Sequence, residues 1–394
     1  MTVLVLVVAG AAYLASVAVE RREPVVLPAL AGPYGAGRVA FDWTDAARTD
    51  PLAPRRGTPR ELSVWLWYPV APDAGGRPAP YAPGRWGRLH LQGPVGLFEG
   101  PFARVRDHAH GGAPVAAGRF PVVVLEPGLG FSAPQYSALA EDLASRGYLV
   151  AGVTPTYSAD VTVVHGRVVG RTPAGNPPDL GTHTGPAAAE ADRLVAVWAA
   201  DARFVAARVA ALDGAGRFAG RVQPGRVAYV GHSFGGAAAL QACSTDPRCA
   251  GAVDVDGTQF GTVVHDGLRA PLMLLGSEDS CVTGTCRAQD AEDRADRDAA
   301  RALLRASTSG AWCYRVTGAQ HLNFTDDAVL FLAQPVRSLY ALGSIDGDRG
   351  LRIQNTYLGA FLDDAVRGRP QPLLRSAFPR FPEAHPRCAV HTPA

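Results

Sequence analysis

Apolar positions in this chain fall into short continuous runs closed by glycine or polar clusters, with longer amphipathic stretches between them. "FPVVVLEPGLG" (120–130), "YLVAGVTP" (148–155), "RVAYVG" (226–231), "CAGAVDVDG" (249–257), "APLMLLGSED" (270–279) and "WCYRVTGAQH" (312–321) are the clearest runs. Runs of this length predict strands buried on both faces, as in a parallel sheet. "ELSVWLWYPV" (61–70) is rich in aromatic and branched residues, alternates, and predicts a strand ending at Pro69. Helices are predicted from Ala133 to Arg146, from about Pro186 to Leu212, and from near Gly235. Two more are predicted in the charged amphipathic "RAQDAEDRADRDAARALLRA" (287–306) and in "RIQNTYLGAFLDDAV" (352–366). Strands alternating with helices imply an α/β class, with a mainly parallel central sheet and helices on both faces. Such sheets carry their sites along the C-terminal strand edge, where these runs end in glycine or polar groups.

Three segments fall outside the alternation. Residues 71–118, rich in Pro, Gly and Arg, predict a long irregular insertion. Residues 156–186 read as a loop, and 371–394 as a Pro-rich tail after a domain covering 36–370. The start is apolar from Val3 to about Val19, the length of a signal-peptide core or a short anchor. Segment 1–22 is therefore expected to direct the chain out of the cytoplasm, as a secreted or membrane-anchored protein, with association to a membrane through residues 3–19. A buried N-terminal helix or strand is the alternative.

With 394 residues and 47% hydrophobic composition, the chain is long enough for a large core. Its net charge of +2 gives no reason to expect a nucleic-acid partner. Every basic side chain is arginine, which removes any mechanism that needs a lysine. Six cysteines allow 15 pairings. Spacing suggests Cys243 with Cys249 and Cys281 with Cys286, leaving Cys313 and Cys388, while free thiols or a zinc site are the alternatives.

The chemistry concentrates in "RVAYVGHSFGGAAAL" (226–240). Gly231-His232-Ser233-Phe234-Gly235 is G-x-S-x-G between a predicted strand and a predicted helix, the context of a nucleophile elbow. Glycines flank the serine because side chains there would collide with the strand and helix. The turn raises the hydroxyl and leaves the Phe234 N–H free at a helix start, where an oxyanion would form. A serine hydroxyl needs a base, and the base needs an orienting acid. His321, after the last predicted strand, is the expected base. His265 precedes a strand, His232 is expected to point away from the site, and His108-x-His110 lies in the irregular insertion. Asp254 and Asp256 end one strand, Glu278 and Asp279 the next, and the pattern leaves Asp256 and Asp279 open as the acid. Gly128 and Gly130 flank Leu129, whose N–H is expected to be the second oxyanion donor.

In this order, "PGLG", "GHSFGG", "VDVDGTQFG" and "GAQHLNFTD" resemble the platelet-activating factor acetylhydrolase family (plasma, lipoprotein-associated type) and its bacterial relatives. The resemblance spans roughly 36–370 and implies an α/β-hydrolase fold. It implies a catalytic Ser233, Asp256 and His321, and so favours Asp256 over Asp279. Leu129 and Phe234 are implied as oxyanion donors, with neither cofactor nor metal. The activity it implies is hydrolysis of short-chain acyl esters, with a small-molecule or lipid ester as partner, the sn-2 acyl group of phospholipids included. Pro127 stands where the family has histidine, which changes the pocket wall. A polyester- or cutin-type esterase or lipase on the same three residues is the nearest alternative. "VDVDGT" also resembles the aspartyl motif of haloacid-dehalogenase-like phosphatases, and a non-catalytic binding protein on this fold is a third reading.

Overall fold

The computed structural model describes residues 2–91, 93–178, 180, 185–375 and 379–388. Its main strands are β1 (Gly35–Thr49), β2 (Pro59–Val70), β3 (Phe120–Glu126), β4 (Leu149–Thr154), β5 (Val222–His232), β6 (Cys249–Val255), β7 (Leu272–Gly276), β8 (Ala311–Val316) and β9 (Ala384–Pro386). Its main helices are α1 (Thr2–Glu20), α2 (Ser137–Ser145), α3 (Gly185–Ala211), α4 (Phe234–Thr245), α5 (Ala291–Ala306) and α6 (Gly347–Ala365).

The strands pair into one sheet in the order β9-β8-β7-β6-β5-β3-β4-β2-β1, continued past β1 by the short strands Ala109–Gly111 and Arg77–Pro78. Neighbours from β8 to β4 are parallel. Parallel pairing needs a crossover, and α2, α3, α4 and α5 supply four of them. Alternation along each strand then splits the core in two. Val123, Leu125, Val230 and Val253 face α2 and α6, where they meet Leu139, Leu143, Leu358 and Phe361. Val122, Val124, Tyr229 and Leu274 face α3, α4 and α5, where they meet Ala202, Val205, Leu240 and Leu303. The α/β architecture predicted from the runs is the one observed, and every parallel strand ends at the same edge.

Three features differ from the sequence reading. Strand β1 was not expected, and it pairs with β2 along almost its whole length. Its sequence, "GAGRVAFDWTDAART", is weak in strand formers, and the pairing edge of β2 organises it. The loop 156–186 contains a hairpin, Thr162–Val164 with Arg167–Val169, turned by His165 and Gly166 at positive φ. The Pro-rich tail supplies β9, antiparallel to β8, and is tied there by Cys313–Cys388. The other disulfides are Cys243–Cys249 and Cys281–Cys286, so all three suggested pairs are present. Residues 179 and 181–184 of that loop, and 376–378 and 389–394 of the tail, lie outside the described residues.

The apolar N-terminal segment forms α1, whose Leu4, Leu6 and Leu14 are exposed. Among the described residues no helix is long and apolar enough to cross a membrane. Residues 3–19, the segment expected to meet a membrane, lie within this helix.

Candidate active site

Ser233 sits between β5 and α4 with φ 56° and ψ −130°, a conformation L-residues rarely hold. The glycines make it feasible. A Cβ on Gly231 would lie 2.0 Å from the Gly235 carbonyl oxygen, and one on Gly235 would lie 2.2 Å from that of Pro127. Two hydrogen bonds hold the turn: the Ser233 N–H donates to the Val255 carbonyl at 2.8 Å, and the Gly236 N–H donates to the Ser233 carbonyl at 2.8 Å.

Asp256 follows β6, the next strand over, also at positive φ (54°). One carboxylate oxygen accepts from the Ser277 N–H at 2.7 Å, and the other meets His321 Nδ1 at 2.8 Å. His321 opens a 3₁₀ turn, His321–Phe324, after β8. The buried Asn323 side chain pins this turn, its carbonyl oxygen accepting from the N–H groups of Gln320 (2.8 Å) and Gly343 (2.6 Å). His321 Nε2 lies 2.9 Å from Ser233 Oγ. Three strand ends thus bring Ser233, His321 and Asp256 into one hydrogen-bonded line.

The surroundings set the charges. Burial works to raise the Asp256 pKa, but the hydrogen bond and electrostatic attraction of His321, joined by the Ser277 N–H, outweigh it and hold the carboxyl below the usual range. The result is a carboxylate that keeps the proton on Nδ1 and turns the Nε2 lone pair toward the serine. The His321 side chain is 39% exposed and that of Asp256 4%, so the base reaches solvent while the acid does not.

The other acids are placed elsewhere. Asp279 is exposed. Glu278 accepts from the Gly318 N–H at 2.8 Å and braces the turn before His321. Asp254 is fully buried beneath the Gly257 N–H and the Gln259 amide, so both acids of "VDVDGT" are committed to protein partners. His108 is bound to the Leu27 carbonyl at 2.9 Å.

Phe234 follows Ser233 and opens α4, and Leu129 follows Gly128, whose position lies against Ser233. Among the described residues, no protein group is seen accepting from either N–H. Gly130 turns the loop after Leu129 at φ 86°. Phe234 packs edge-on against Trp198, with centroids 5.2 Å apart, and near Phe260, while Leu129 and Tyr157 border this apolar cluster. A separate cleft of about 670 Å³, lined by Arg119, Arg146, Arg226 and Arg367, opens by the opposite ends of β3 and β5.

His232, expected to point away from the site, is buried and held at both ring nitrogens. Its ring lies 4.6 Å from that of His321, centroid to centroid, and its Nε2 is 3.0 Å from the His321 carbonyl oxygen. Its Nδ1 is 2.9 Å from the Tyr136 hydroxyl. Only tertiary contact across three strand ends makes this visible, because Tyr136 and His321 lie far from His232 in the chain.

The family described as platelet-activating factor acetylhydrolase, isoform II, matches residues 96–167 and 211–368. Among solved structures, the ferulic acid esterase from Streptomyces cinnamoneus is similar, with 32% sequence identity and a TM-score of 0.76. The similarity covers 92% of this chain and 99% of that one. No curated protein matches the chain.

Proposed function

The chain belongs to the platelet-activating factor acetylhydrolase, isoform II, family of α/β-hydrolase esterases, and on that premise we propose that Ser233, His321 and Asp256 form its catalytic triad. The observation that carries this reading is the 2.9 Å and 2.8 Å pair of contacts along Ser233–His321–Asp256. Ser233 Oγ attacks the ester carbonyl carbon while His321 Nε2 takes its proton. Asp256 stabilises the resulting imidazolium. The N–H groups of Leu129 and Phe234 hold the negative oxygen of the tetrahedral intermediate. The C–O bond to the alcohol breaks, and His321 returns the proton to the departing oxygen. Water, deprotonated by His321, then attacks the acyl-enzyme and releases the acid and the free serine.

The substrate is a small carboxylic ester with a short acyl chain, the sn-2 acyl group of a phospholipid included. Family membership and the apolar cluster around Phe234 support this. A second reading, aromatic acyl esters of the ferulate kind, is favoured by the 32% identical ferulic acid esterase and by Trp198 and Phe260 behind Phe234. Polyester or cutin-type substrates need the same three residues and remain the wider alternative. An extracytoplasmic location belongs to the same proposal, supported by three disulfides, which a reducing cytoplasm does not maintain.

The test is direct. A fluorophosphonate probe is expected to label Ser233 in the purified chain, and Ser233→Ala to lower kcat on p-nitrophenyl acetate by about 10⁴-fold or more. Wild-type turnover by Ser233→Ala would refute the triad. Rates across p-nitrophenyl esters of rising chain length, a short-chain phospholipid and methyl ferulate, compared as kcat/KM, decide the acyl group.

A further inference from the structure

We propose that Tyr136 and His232 are positioning residues: together they form a buried hydrogen-bond chain tying the Gly128–Gly130 oxyanion loop to the backbone of His321. The proposal rests on the triad reading above and adds two residues to it that touch no substrate.

Three contacts make the chain. The Gly128 N–H donates to the Tyr136 hydroxyl oxygen at 2.8 Å. The Tyr136 hydroxyl meets His232 Nδ1 at 2.9 Å. His232 Nε2 meets the His321 carbonyl oxygen at 3.0 Å. Both rings are almost fully buried, at 1% for Tyr136 and 2% for His232.

The chemistry fixes the direction of every bond. A carbonyl oxygen only accepts, so His232 Nε2 carries the proton. In a neutral imidazole the other nitrogen is then an acceptor, so the Tyr136 hydroxyl donates to Nδ1. That leaves the phenol oxygen to accept from Gly128. Each donor is used once, and reversing any link leaves a buried polar group without a partner, which costs about 1–3 kcal/mol. Burial first, and then the charge of His321, lower the His232 pKa to about 3. The ring therefore stays neutral beside His321 and adds no second positive charge when His321 becomes an imidazolium.

The chain connects the three moving parts of the reaction. Gly128 precedes Leu129, whose N–H is the loop's oxyanion donor. A Cβ on Gly128 would stand 3.2 Å from His232 Nδ1 and 3.3 Å from both Ser233 Cβ and the Tyr136 hydroxyl, so the loop rests directly on both rings and on the elbow. His232 is the residue before the nucleophile, and its far nitrogen holds the backbone of the base. Fixing these pieces against one another keeps the oxyanion donor and the imidazole in register through both halves of the reaction, and a misplacement of an ångström is worth orders of magnitude in rate.

The experiment uses the full chain and the variants Tyr136→Phe, His232→Leu, His232→Gln and Tyr136→Phe/His232→Leu. Active sites are counted by stoichiometric fluorophosphonate labelling, so that kcat refers to folded, reactive molecules only. Tyr136→Phe keeps the ring packing and tests the hydroxyl alone. Tyr136→Phe and His232→Leu are each expected to lower kcat on p-nitrophenyl acetate about 10-fold or more, with KM within about two-fold. The double variant is expected to be no slower than the slower single one. His232→Gln, whose amide offers a donor and an acceptor, is expected to recover most of the rate; a purely packing role would not be rescued this way. Wild-type kcat in Tyr136→Phe, or multiplicative losses in the double variant, would overturn the proposal. Ser233→Ala is run in parallel. If it is inactive while Tyr136→Phe turns over normally, only the positioning chain fails; if it stays active, the triad itself fails.

Discussion

Ser233 and Asp256 share an unusual property: both are non-glycine residues held at positive φ, at 56° and 54°. Such conformations cost about 1–3 kcal/mol each and persist where the surroundings over-determine them. Here the surroundings are backbone hydrogen bonds across strand ends, from Ser233 N–H to Val255 and from Asp256 N–H to Leu275. The strain aims both side chains at His321. Aspartate tolerates this region better than most residues, and asparagine tolerates it equally well. Asp256→Asn therefore keeps the backbone and removes only the charge that orients and stabilises the imidazole. Its kcat is expected to fall roughly 10³–10⁴-fold with a small change in melting temperature, as read by steady-state kinetics beside thermal unfolding. At this scale the sequence was informative. The elbow glycines, the serine and the histidine could be named from spacing, because a strained turn leaves few residue choices. The choice of Asp256 over Asp279 was left open by pattern alone, since both acids end strands.

Among the elements, β8 matters most to the site, because His321 follows it by a few residues. Its outer edge is covered by β9, which Cys313–Cys388 fastens across 75 residues of chain. The buried Phe381 and Ala384 and the Arg349–Glu383 ion pair also hold this segment. Replacing both cysteines by serine is expected to lower stability by about 2–5 kcal/mol. The kcat measured at 25 °C is expected to stay unchanged, because no residue of β9 enters the site. Differential scanning calorimetry and kinetics on the same sample check both halves. The buried strands were readable as uninterrupted apolar runs, and the helices from their amphipathic period. Strand β1 was not, since a strand rich in Ala, Gly, Asp and Arg carries little pattern and is recruited by its neighbour. The 162–169 hairpin did carry a signal, a His-Gly turn between two branched runs, within a stretch otherwise read as loop.

The whole molecule buries an acidic group distant in sequence: Glu99, from the insertion, with Asp326 and Asp327, just after the His321 turn. Burial is the main cause that raises all three to about 7; the charge of Glu99 adds to the effect on Asp327, and hydrogen bonds to Asp326 only partly oppose it. A carboxyl with a raised folded pKa holds its proton in the folded chain and loses it on unfolding, between its ordinary value near 4 and its folded value near 7. Its contribution to stability is complete below about pH 4 and is lost as the pH rises through about 7. Asp327→Asn abolishes that titration. The fall in stability between pH 5 and pH 8 is expected to be smaller in Asp327→Asn than in the wild type, with urea unfolding at the two pH values as the measure. Such a cluster is invisible in one dimension, because its members are ordinary acids until folding removes their water.

The sequence by itself determined the alternation of strand and helix, the edge at which chemistry would collect, and the serine elbow and histidine that the proposed triad uses. These follow from local rules: apolar runs must be buried, and a serine raised on a tight turn must be flanked by glycine. Tertiary structure alone decided where the tail and β1 dock, and that His232 joins Tyr136 to the backbone of His321. Those choices depend on distances between residues far apart in the chain. Hydrogen bonds and desolvation act over a few ångströms of space, so separation along the chain does not reveal them.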